Sequence, residues 1–297
     1  MNKALLLAVV GAGLVGCGVS EAELNDETLG DDSFELSTTK DTFLIARRDT
    51  RRCVAPLCGG FWVKDLNSTM QEKYVSGFDF SQAQVPQWVQ DAARGAPDHQ
   101  LVLFGRLGPK ERTFDTRTLV VQRVFRGMPG KSLAGDEKFY GVFPTKIACA
   151  TTPCAYLQTT RLNRTTGHTM ATDVDVSAAQ AALVDQNWLL SRSLYGRSVL
   201  AGKVVRRNGH VTVTATQVFV ELPDRLAPCQ EESEPSCGND EVAEWTRTPD
   251  RCTVPTGVCI TPRYCALYVP SCEAGYRQVS WSAGCTQYAC EPEFLEE

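Results

Sequence analysis

Histidine is scarce in this chain, three in 297 residues, and none of His99, His168 and His210 has a second ligand at metal spacing. That leaves no histidine-built metal centre to assign. Aromatic residues are also few, at 8%. Positive charge is not in excess either: the formal net charge is -5 and the pI about 5.4, which removes the overall basicity of a dedicated nucleic-acid binder. Beyond the N-terminus no apolar run is long enough for a spanning helix. Catalytic signatures are missing as well. Gly127-Met-Pro-Gly130-Lys131-Ser132 ends like a phosphate-binding loop, but Phe125 stands where its first glycine must be. Asp173 and Asp175 share a strand face without further oxygen ligands for calcium, and Ser280-Trp-Ser-Ala-Gly284 is not a nucleophile elbow. No catalytic residue, metal or cofactor is assigned, and the reading leans away from an enzyme.

What the chain has instead is cysteine, thirteen of them, which points to an oxidising compartment. Lys3, the apolar stretch Ala4 to Val10 and the small residues after it read as an export signal over 1–16. Leu14-Val15-Gly16-Cys17 resembles the bacterial lipobox, which implies cleavage before Cys17 and palmitate-class acylation of its thiol. An ordinary signal-peptidase site is the alternative. Gly18 in place of an aspartate points to the outer membrane. Setting Cys17 aside leaves twelve cysteines, the even number expected of a fully oxidised exported chain. Residues 17–41 are acidic and poor in aromatics, a solvated tether.

Laid over itself, the chain matches at a near-constant offset. Cys53-Val-Ala-Pro-Leu-Cys58 returns as Cys149-Ala-Thr-Thr-Pro-Cys154, Leu66-Asn67 as Leu162-Asn163, and Phe78-Asp79-Phe80-Ser81 as Val174-Asp175-Val176-Ser177. The expectation is an α+β fold: two tandem repeats of about 95 residues, 42–137 and 138–228, each βββαββ with one helix over an antiparallel sheet. Ser81 and Ser177 are the expected helix N-caps, before Val85, Trp88, Val89 and Ala93 in one half and Ala181, Val184 and Trp188 in the other.

Cysteines five positions apart around a proline turn can reach disulfide distance. Local bridges Cys53–Cys58 and Cys149–Cys154 are the expected pairing; bridges across the repeats, or one zinc held by all four thiolates, are the alternatives. Gly59-Gly60 marks a bulge or a close backbone approach. Residues 229–297 hold the other eight cysteines, Cys229, Cys237, Cys252, Cys259, Cys265, Cys272, Cys285 and Cys290, in a small module whose connectivity the sequence leaves open.

The run Arg51-Arg52-Cys53-x4-Cys58-Gly59-Gly60-Phe61-Trp62-Val63, with Asn67 downstream, resembles an uncharacterised domain family of bacterial lipoproteins over about 42–228; the resemblance implies no activity. Cys265-Ala-Leu-Tyr-Val-Pro-Ser-Cys272 is faintly similar to Kazal-type and trypsin-inhibitor-like modules, but the fuller Kazal signature is missing.

With tether and tail both acidic, residues between them are net basic, mostly through arginine. Arg47, Arg48, Arg51 and Arg52 cluster before the first cysteine loop, and guanidinium forks suit phosphate and carboxylate. The surface they form is expected to bind an anionic envelope polymer or an acidic protein; solvated strand edges, or docking of the chain's own acidic tail, would explain them equally. The expectation overall is an exported, lipid-anchored envelope protein with a non-enzymatic binding or structural role. An inhibitor-like tail and a cryptic enzyme with its site between the repeats are the alternatives.

Overall fold

A computed structural model of the chain describes residues 36–148, 150, 152–225, 227–230, 232–262, 265 and 268–295. The signal segment, Cys17, most of the tether and Cys149 lie outside the described residues.

Alternating buried and exposed positions make the strands. In order these are β1 (Thr42–Arg48), β2 (Phe61–Asp65), β3 (Lys73–Val75), β4 (Phe78–Asp79), β5 (Leu101–Lys110), β6 (Arg117–Gly127), β7 (Lys138–Pro144), β8 (Leu157–Arg161), β9 (His168–Ala171), β10 (Asp173–Asp175), β11 (Ser198–Arg207) and β12 (His210–Leu222). They form one sheet in the order β3-β2-β1-β5-β6-β12-β11-β7-β8-β9, with β4 beside β6 and β10 beside β12, both parallel. Among the described residues there are two α-helices, α1 (Gln87–Arg94) and α2 (Gln186–Leu194), and a 3-10 turn at Ser177–Ala179.

This corrects the α+β expectation. Strand accounts for 44% and helix for 8%, so the fold is mainly β, and the strands of both halves run in one large sheet instead of two βββαββ units. Two local features account for the difference. The stretch read as one strand from Tyr74 to Phe80 breaks at Ser76-Gly77: β3 stays antiparallel on β2, while β4 crosses to pair with β6. The helices also start later than the serines. Ser81 donates its amide to Asp79 instead of capping a helix, and α1 begins after Pro86. Ser177 opens only the 3-10 turn; the N-cap of α2 is Asp185, whose carboxylate accepts from the amides of Asn187 and Trp188. Helices of 8 and 9 residues cannot cover such a sheet as a layer.

The sheet is buried on both faces. Along β5, Leu101 and Leu103 enter one core and Val102 another; along β12, Val218 and Val220 face one way and Phe219 the other. The larger core takes in Val89 and Ala93 of α1, and Trp188 and Leu189 of α2. The smaller contains Leu66, Phe125, Leu162, Val199 and Phe219, with Phe43, Phe104 and Phe139 at its border. This second core is roofed because the sheet arches until the turn after β2 lies on β7 and the turn after β8 lies on β1. Asn67 Nδ2 donates to the carbonyls of Phe139 and Leu162, and Asn163 Nδ2 to those of Phe43 and Leu66.

The tail adds two hairpins, β13 (Val242–Arg247) with β14 (Thr253–Ile260), and β15 (Tyr276–Ala283) with β16 (Cys285–Pro292). Four disulfides staple them: Cys229–Cys252, Cys237–Cys259, Cys265–Cys285 and Cys272–Cys290. The second hairpin is part of the larger core. Tyr276, Cys290 and Leu295 are buried in it, and the Tyr276 hydroxyl donates to the Pro129 carbonyl.

Candidate functional site

The loop between β1 and β2 brings the predicted arginines together. Its base is closed by the Asp49 amide on the Gly60 carbonyl, and Cys53 and Cys58 are bonded to each other. The two thiolates are therefore not offered to a zinc at this loop. Cys154 is likewise disulfide-bonded. Within the bridge the Leu57 amide donates to the Val54 carbonyl, and the Tyr74 hydroxyl holds the Pro56 carbonyl at 2.8 Å. Gly60 is the close approach read from the sequence: a Cβ there would lie 2.2 Å from the Val75 carbonyl oxygen. The loop is thus a rigid projection.

Its arginines differ in how far they are committed. Arg47 forms a fork on Glu72, with Nε 3.0 Å from both carboxylate oxygens. Arg51 forms another on Asp49, at 3.0 and 2.9 Å, and its NH2 also reaches the Leu57 carbonyl. The Arg51 guanidinium lies over Trp62 at 4.8 Å and Tyr74 at 5.1 Å, so its plane is fixed by two rings. The Asp49 side chain is almost wholly covered. Hydrogen bonds from Arg51, against the opposing effect of burial, and with help from Trp62, lower its pKa to about 2. The Arg48 guanidinium rests on the Arg94 carbonyl. Arg52 is exposed and makes no hydrogen bond or ion pair among the described residues. Two of the four predicted arginines are thus built into the loop, and Arg48 and Arg52 remain uncompensated by a paired carboxylate.

The tail does not dock on these arginines. Its anchor is a buried ion cluster that sequence reasoning missed, at the end of α2. Asp224, fully buried, accepts from Arg192 Nε at 2.6 Å, Arg251 Nε at 2.8 Å and the Trp188 indole at 3.1 Å. Arg251 bridges on to Glu291, which Arg247 and Arg277 also meet, and Arg247 reaches Asp185 at 3.5 Å. Burial pushes the Asp224 carboxyl up, but Arg192 and Arg251 outweigh it and leave its pKa below the ordinary value. The tail thus contributes arginines to meet carboxylates of the preceding segment, the reverse of what its net acidity suggests. Little in the sequence announced this: Arg247, Arg251 and Arg277 are scattered among the tail's acidic residues, and Asp224 looks like a loop residue after Pro223.

Asp173 and Asp175 accept from nearby backbone amides, of Val174 and Ser177. Among the described residues no group of three or more His, Cys, Asp or Glu side chains is arranged to hold a metal, and no helix is long and apolar enough to cross a membrane.

Residues 42–221, from the first strand to the last residue but one of β12, match the family described as a domain of unknown function, DUF6748. The chain belongs to the DUF6748 family. An uncharacterized protein of Dictyostelium discoideum is 24% identical over 253 residues, covering 83% of this chain and 85% of its own length. No solved structure matches. The DUF6748 segment holds the arched sheet, the arginine loop and both asparagine clasps, while the tail and Asp224 lie beyond it.

Proposed function

We propose that this protein is an exported, lipid-anchored envelope module with a non-enzymatic binding role, whose ligand surface is the arginine loop. Cys17 carries the acyl chains and holds the domain at the bacterial outer membrane, and the partner is an anionic envelope polymer or an acidic protein. The observation that carries this reading is Arg52. It stands exposed and unpaired beside Arg48, next to an Arg51 whose plane two aromatic rings hold half open to solvent. An immobilised guanidinium loses little side-chain entropy on binding an anion.

The test is binding of a polyanion, dextran sulfate, as salt is raised. Arg48→Ser with Arg52→Ser should abolish the salt-dependent binding, since neither side chain is committed to a carboxylate of the fold. Retention of binding in that double variant would sink the proposal. The anchor is tested separately, by the intact mass of the protein from native membranes: a mass for 17–297 plus diacylglyceryl and acyl groups is expected, and a chain without added lipid would refute it.

A second reading is supported by the tail. Tyr268 and Val269 are 74% and 59% exposed between Cys265 and Cys272, each bridged to the β15–β16 hairpin. A loop held so is a candidate protease-binding segment. Inhibition of trypsin- or subtilisin-family enzymes, lost in Tyr268→Gly, would support it; no inhibition of either family would dismiss it.

A further inference from the structure

The projection that carries the arginines also carries an apolar tip. Val54 is 79% exposed and Leu57 is 49% exposed, with Ala55 exposed between them and Arg51 and Arg52 at their foot. Nothing in the fold covers these side chains, although the Cys53–Cys58 bridge, the Tyr74 hydroxyl and the Arg51 guanidinium all hold the tip in place. A soluble polyanion would use the arginines and leave Val54 and Leu57 in water. A bilayer would use both: the apolar tip enters the headgroup boundary while the guanidinium groups sit at the level of the phosphates. The acidic tail is repelled by the same surface, which orients the domain with the loop toward the lipid. We infer that the tip of the Cys53–Cys58 loop docks on a bilayer carrying anionic lipid, with Val54 and Leu57 inserted and Arg48, Arg51 and Arg52 against the phosphates.

This rests on the reading of the arginine loop as an anion-binding surface and names its partner. The loop is rigid before it binds, so little ordering cost is set against insertion. The acidic tether also gives the domain freedom to bring this end down to the membrane.

The experiment uses the chain from Gly18 onward, which keeps every residue the structure describes and carries no acyl group. Cosedimentation is measured with vesicles of phosphatidylglycerol and phosphatidylcholine, and with phosphatidylcholine alone; dextran sulfate is the soluble comparison. The expected result is binding to the anionic vesicles about tenfold or more above the neutral ones. Val54→Ser with Leu57→Ser should weaken vesicle binding about tenfold and leave dextran sulfate binding unchanged. Arg48→Ser with Arg52→Ser should weaken both. If the Val54/Leu57 variant binds vesicles as the parent does while the arginine variant loses dextran sulfate, the lipid inference is overturned and the anion surface stands, with a polymer or acidic protein as its partner. If the arginine variant keeps both activities, the surface itself is wrong. All four side chains are exposed and uncommitted to the core, so circular dichroism should show unchanged folding in each variant.

Discussion

Asn67 and Asn163 clasp each other's end of the sheet with matching hydrogen bonds. Each side-chain amide donates to two carbonyls, and each Oδ1 accepts a strand amide, from Phe139 at 2.9 Å and from Phe43 at 2.8 Å. Both asparagines have φ of 57°, the left-handed region that asparagine tolerates better than most residues.

Glycine at either position keeps the backbone conformation and removes three hydrogen bonds. Asn67→Gly and Asn163→Gly should each cost about 2–3 kcal/mol in urea unfolding. The double variant should cost less than the sum, because both clasps hold one junction. Full additivity would show the two turns to be independent.

Asp224 has no water to replace its partners. Asp224→Asn leaves Arg192 and Arg251 buried without their carboxylate and should cost about 3–5 kcal/mol. Asp250→Asn, which removes the exposed partner of Arg192, should cost under about 1 kcal/mol. Urea midpoints decide this. Limited proteolysis before β13 should be faster in the Asp224 variant alone, because the tail is held there.

Asp49 governs part of the acid limb of stability. Its folded pKa, about 2, lies below the unfolded value near 4, so its contribution is complete above pH 4 and is lost as pH falls toward 2. The gap in urea midpoint between the parent and Asp49→Asn should shrink through that window. A gap constant with pH would mean that Asp49 is not held ionised by Arg51.

Arg126 is a buried cation without a carboxylate among the described residues. It donates to the Gln100 carbonyl, lies under the Phe294 ring at 5.0 Å, and has no partner at Nε. Burial lowers its pKa to about 10. Arg126→Met should be neutral or stabilising by about 1–2 kcal/mol, since an apolar side chain of similar length removes an unpaid desolvation. A loss of more than about 1 kcal/mol in thermal unfolding would refute that view of the site.

The parts of this molecule that were legible in the sequence are local. Strand alternation from Leu101 to Leu103 and from Val218 to Val220, the Cys53–Cys58 loop, the role of Gly60 and the prominence of Asn67 and Asn163 all follow from spacing within a few residues or from the internal match. Two kinds of feature were not legible. The crossing of β4 to β6 depends on a break at Ser76-Gly77 that looks like strand interior, and the true cap at Asp185 was masked by a serine at an equally good position. The cluster at Asp224 joins Arg192, Arg251 and Glu291 from three separate stretches, and no periodicity records a contact made that far along the chain.

The asparagine clasp also sets a schedule for folding. The amide and carbonyl of Phe43, in the first strand to be synthesised, are satisfied by a side chain 120 residues later. The loop-closure entropy of that contact is paid before any reward is collected, so the arch is a late event and its rate is governed by topology more than by local propensity. A chain that has emerged only as far as β6 carries Phe43, Phe104 and Phe125 with no roof over them, and it must be kept from self-association until Asn163 arrives.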